Sequence, residues 1–132
     1  MFEFSRANIA SAYIEDIAAY LDENDVWYTP NIQMQEKSGL VHNIDFVIAK
    51  SRKSPERILT AMSSPSIQRA KLFTFSLNDI RESRDIDSKL YVIINDNKKI
   101  SDGITSTFDA YKIGHIEWSQ RNSIDNVNIL TA

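Results

Sequence analysis

The chain has 132 residues, 42% of them hydrophobic, which is the size of one domain with apolar surface enough to fold unaided; the disordered class is excluded. It contains no cysteine, so disulfides, thiol catalysis and cysteine-ligated zinc are excluded too. Its net charge is −3, from 15 basic and 18 acidic residues, whereas proteins that hold a phosphate backbone through counterion release favour a basic excess. Nucleic acid is therefore a disfavoured partner, although a local basic stripe would suffice.

The opening MFEFSRANIASAYIEDIAAY carries acids where a secretory signal needs a basic start and an unbroken apolar run. No window reaches the roughly 18 apolar residues of a membrane span. The expectation is a single cytoplasmic domain over residues 1–132, with no membrane partner.

A helix is predicted over 5–24. Ile9, Tyr13, Ile17 and Leu21 recur four apart with Ile14 and Tyr20 beside them, while Glu15, Asp16, Asp22 and Glu23 fall largely off that stripe. Ser5 is the expected N-cap and Asn24 the expected left-handed exit. From Val26 to Gln35 the period becomes two, with Val26, Tyr28, Ile32 and Met34 on one face, and Pro30 calls for an edge strand or a bulge. A turn at 36–39 returns the chain along 41–50, with Ile44, Phe46 and Ile48 on one side and Asp45, Val47 and Ala49 on the other. Together these make a hairpin over 26–50.

Ser54-Pro55-Glu56-Arg57 carries helix-start signals, so a short helix is predicted over 55–63, with a strand over 57–62 as the competing reading. KLFTFS (71–76) has strand composition, and LNDIRESR (77–84) reads as a helix with Asn78 as its cap. KLYVIIN (89–95) is almost wholly apolar and reads as a central strand buried on both faces. A turn at 96–99, a helix over 102–111 led by Ser101 and a strand over 115–119 complete a βαβ-like remainder, 55–119. The polar tail 120–132 is expected to be loosely held. The class is α/β: one mixed sheet, begun by a hairpin and flanked by helices.

Lys50, Arg52, Lys53 and Arg57 form the densest basic cluster, readable as a solvated loop or as a contact for phosphate or an acidic protein surface. Asp79, Arg81 and Arg84 suit helix-surface ion pairs. Asp79 also stands where it could face Asp45 and give two carboxylates around one point. His42 and His115 read as structural, since no second histidine stands at ligand spacing. Trp27, Tyr28, Trp118, Phe73 and Phe75 are expected to fill the core; one of them exposed would mark a protein interface. Three glycines leave no phosphate loop or dinucleotide motif.

A helix followed by a hairpin whose second strand reads S-G-x-x-H-x-I-D-F resembles the start of the restriction-endonuclease-like fold. The resemblance implies that Asp45 binds a divalent metal, Mg²⁺ or Mn²⁺, completed by an acid-x-Lys pair on the third strand. That pair is missing: the slots fall near Thr60 and Met62, or near Thr74 and Ser76. Glu15, Asp79 and Lys50 are the substitutes for an active nuclease, with Glu56 a further stand-in. As a structural residue, Asp45 would instead accept from His42, Lys50 or backbone amides. The longer pattern, SGLVHNIDFVIAKSRKSPERI through FSLNDIRESR to KLYVIINDN, is similar over residues 28–121 to an uncharacterised bacterial and phage domain family, domain of unknown function 1829. That resemblance implies a mobile-element or host-defence setting. The leading expectation is a catalytically degenerate nuclease-like domain that binds a protein partner, without a cofactor and with a homodimer as one arrangement. Its alternatives are a metal-dependent DNA nuclease using Asp45 and a DNA-mimic or immunity-type inhibitor.

Overall fold

In the computed structural model, which describes residues 6–36, 38–84 and 87–131, the first helix, α1 (Arg6–Glu23), buries the predicted stripe from Tyr13 to Leu21, with Ile14 half-buried. Tyr13, Ile17, Tyr20 and Leu21 are buried, while Glu15, Asp16, Asp22 and Glu23 face solvent. The predicted cap Ser5 lies outside the described residues. The left-handed exit falls at Asp25 (φ 56°), one residue beyond Asn24, whose side-chain amide instead donates to the Tyr20 carbonyl at 2.8 Å.

Five strands follow in the order of the chain: β1 (Thr29–Gln35), β2 (Val41–Ile48), β3 (Glu56–Met62), β4 (Ser88–Ile94) and β5 (Gly114–Glu117). The β1·β2 and β2·β3 pairs are antiparallel; β3·β4 and β4·β5 are parallel and are joined by α2 (Ile67–Ser83) and α3 (Asp102–Ala110). A final helix, α4 (Ile124–Thr131), follows a 3-10 turn at Trp118–Gln120. The result is a single α/β domain with a mixed sheet between two helix layers. On one face Ile58, Met62, Val92 and Ile94 meet Leu77 and Ile80 of α2 and Phe108 of α3. On the other, Phe46, Leu59, Ile93 and Ile116 meet α1 and Leu130 of α4. β4 serves both cores, as its unbroken apolar run requires.

Several expectations are corrected. The 55–63 segment is strand β3, not a helix, because Arg57 to Leu59 pair with β2 while the whole segment pairs with β4; ladder partners on both sides outweigh the local Ser-Pro start signal. KLFTFS is helix, the middle of α2. Ser66 caps that helix by accepting from the Arg69 amide at 3.1 Å, and Ala70, Thr74, Leu77 and Ile80 recur at helical spacing on its buried side. LNDIRESR therefore continues α2, and Asn78 lies inside it rather than capping a new helix. The tail is not loose: it forms α4, with Leu130 buried. β1 begins at Thr29 rather than 26, and Trp118 and Ser119 belong to the 3-10 turn rather than to β5. Trp27 is 89% exposed and Phe75 59%, so neither fills the core.

The hairpin also changes faces along its length. Ile32, Met34 and Ile44 pack towards α2 and α3, whereas Tyr28, Phe46 and Ile48 pack towards α1. Both predicted common faces are thus split: Val26 and Tyr28 from Ile32 and Met34, and Ile44 from Phe46 and Ile48. The β1·β2 register keeps the same offset on either side of the change, with Pro30 opposite Phe46 and Ile32 opposite Ile44. The crossover falls at Asn31, in the left-handed region (φ 54°), and at Asp45 across from it. Pro30 sits on the edge strand, where its missing N–H leaves no ladder bond unmade.

Candidate functional site

Where β2 parts from β3 the sequence-predicted carboxylate takes over a ladder bond. The β2·β3 pairing runs from Ile48–Arg57 to Phe46–Leu59, and the next residue of β2, Asp45, accepts the Ala61 amide on Oδ2 at 2.7 Å. Its carboxyl is partly buried. Burial pushes its pKa up, and the Ala61 hydrogen bond opposes that rise only in part.

Asp79, the proposed second carboxylate, is engaged elsewhere. From α2 it accepts on one oxygen from His42 Nε2 at 2.6 Å and from the Ser38 hydroxyl at 2.7 Å, tying the hairpin's turn end to the helix. His42 is 7% exposed. Hydrogen bonds from His42 and Ser38 hold the Asp79 carboxyl below the usual carboxylate range. A depressed carboxyl contributes stability above its unfolded pKa of about 4, and that stability is lost as pH falls through the depressed value. Asp79→Asn is therefore expected to flatten the acid limb of a plot of urea midpoint against pH below about pH 4. An equally steep limb in the variant would show that this pair does not couple the hairpin to α2.

Glu15 is exposed on α1, and Lys50, Arg52 and Lys53 are exposed beyond β2. Arg57 is not part of that surface. It is 3% exposed, and it donates from Nη1 to the carbonyls of Ile129 (3.1 Å) and Leu130 (3.4 Å) and from Nη2 to that of Ala49 (3.1 Å). Glu56 likewise serves the fold, accepting from Arg84 Nη2 and from the Ser88 hydroxyl, each at 2.8 Å. Of the predicted ion-pairing residues, Arg81 donates to the carbonyls of Tyr111 and Lys112 instead.

A hydrolytic metal needs several converging oxygen or nitrogen ligands. Among the described residues no three acidic or histidine side chains are grouped to hold one. With Asp45 on an amide, Asp79 on His42 and Glu15 in solvent, these residues do not fit the ion that the resemblance implies, and no chemistry is routed through it. The sequence reading missed the anchoring roles of Arg57 and Glu56. The signal was present: in ERILTAM the charges occupy the first two positions of an otherwise apolar strand, where burial demands a partner.

No helix among the described residues is long and apolar enough to cross a membrane. Residues 36–121 match the model of a family described as a domain of unknown function, DUF1829. No curated protein and no solved structure matches the chain.

Proposed function

The chain belongs to the DUF1829 family; we propose that it is a catalytically degenerate nuclease-like domain that works by binding a protein partner. The observation that carries this reading is Asp45. It stands on the second strand of the hairpin, beside the third, as a nuclease carboxylate would, yet its oxygen serves the Ala61 amide. The neighbouring third-strand slots hold Thr60 and Met62, neither an acid nor a lysine.

A protein partner is supported by apolar side chains left in solvent on α2, where Leu72 is 66% and Phe75 59% exposed one turn apart. Lys50, Arg52 and Lys53 add an exposed cationic loop suited to an acidic protein surface. The phage or host-defence setting rests on the family resemblance alone.

Plasmid incubated with the protein and Mg²⁺ or Mn²⁺ is expected to stay intact, with wild type and Asp45→Ala alike. Metal-dependent nicking that disappears in Asp45→Ala would overturn the degenerate reading and restore the nuclease. One observation favours the inhibitor reading: Glu15, Asp16, Asp22, Glu23 and Asp25 are all exposed along and just beyond α1. If the chain blocks a DNA-binding protein and charge reversals at Asp16 and Glu23 abolish the block, that second reading replaces the first.

A further inference from the structure

The parallel strands β3 and β4 end side by side, and each leads through a short loop into a helix on the same face of the sheet. Between the loops lies a cleft of about 630 Å³. That volume lies within the range of small-molecule sites, and the mouth beyond the carboxyl ends of parallel strands is a favoured place for them. Its polar lining includes Ser63, Ser64, Asn95, Lys98, Lys99 and Ser101, with Ile67, Ile100 and Ile104 as an apolar wall.

Charge says what kind of ligand suits this cleft. The chain as a whole is acidic, yet the cleft's lining contains two lysines and no carboxylate. The same two lysines also border an adjoining depression lined by Asp96, Asp102, Asp109 and Glu117, so they stand between a carboxylate-free cleft and an acidic one; Asp109 and Glu117 lie 3.2 and 3.3 Å from His115, and Asp96 accepts from the Ser119 amide. Among the described residues neither Lys98 nor Lys99 is in an ion pair. Asn95 braces the two loops, donating to the Ser63 carbonyl at 3.1 Å from its side chain and to the Met62 carbonyl at 3.0 Å from its backbone. The first turns of α2 and α3 both border the cleft; that of α2 carries no acid, that of α3 carries Asp102, and Ser101 makes no side-chain cap bond.

We propose that this cleft binds a small phosphorylated molecule, with Lys98 and Lys99 on the phosphate and the isoleucines against its organic part. The proposal is independent of whether Asp45 ever supported catalysis.

The test is calorimetric titration of the full chain with pyrophosphate and with ADP. Saturable binding is expected, weakened at least about tenfold in Lys98→Gln/Lys99→Gln, since a charge-assisted bond to phosphate is lost at each position. Lys71→Gln, on α2 away from the cleft, is expected to bind as wild type does. ADP binding more tightly than pyrophosphate would identify a nucleotide; equal affinities would identify phosphate recognition without a base. The proposal is overturned if neither probe binds saturably at millimolar concentration, or if the double variant binds like wild type. A short single-stranded oligonucleotide that binds tenfold more tightly than ADP would overturn it in favour of nucleic acid.

Discussion

Arg57→Met is expected to lower global stability by about 3 kcal/mol, since it removes charged donors from three partly or fully buried carbonyls while leaving most of the stem's packing in place. The guanidinium holds the Ile129 and Leu130 carbonyls in the last turn of α4 and the Ala49 carbonyl just beyond β2. A cation among the unpaired carbonyls of a helix C-terminus also meets the negative end of its dipole. Burial pushes the arginine's pKa down, but from so high a value that it stays charged at neutral pH. The urea midpoint should fall by about 2 M, given a slope of 1–2 kcal/mol per molar for a domain of this size. Amide exchange in α4 should accelerate more than exchange in α3, because Leu130 would then be left to seat the helix without the clamp. A loss below about 0.5 kcal/mol, the ordinary scale of a surface substitution, would mean that α4 is held by other contacts.

The second large effect is a contrast between two substitutions at one position. Asp45→Asn keeps an oxygen for the Ala61 amide and removes the charge that burial penalises; Asp45→Ala leaves that amide without its acceptor. The alanine variant is expected to be less stable than the asparagine variant by about 1–3 kcal/mol, the cost of an unmade buried hydrogen bond. The sign with pH is opposite to that of Asp79. A carboxyl whose pKa is raised on folding contributes stability below its unfolded pKa of about 4 and loses it as pH rises through the raised value. Asp45→Asn should therefore exceed wild type in urea midpoint at neutral pH, with the gap closing towards pH 4. An asparagine variant less stable than wild type at pH 7 would show that the Ala61 hydrogen bond to the ionised carboxylate outweighs the cost of burying its charge.

The limits of legibility follow the same physics. Asp45 was visible as an acid in an apolar strand, but its partner, Ala61, lies sixteen residues on and is brought to it by the parting of two strands. Arg57 looked like one more member of a basic loop. Only the docking of α4 turned it inward. The cleft drew no signal at all, because its lysines, serines and asparagines come from two loops that are unremarkable singly and meet only where β3 and β4 end together.

What the sequence determined by itself is whatever repeats locally: the fourfold stripe of α1, the existence and turn of the hairpin, the apolar run of β4 and the helix led by Ser101. Side-chain period and turn chemistry act within one element, so they can be read without neighbours. Tertiary structure alone decided that Glu56–Met62 is a strand and KLFTFS a helix, that the hairpin crosses faces at Asn31 and Asp45, and that the tail is a docked helix. Each of those outcomes depends on which surface or ladder edge is waiting at the other side of a contact, and a short apolar segment takes the form that its partners can pair with or bury.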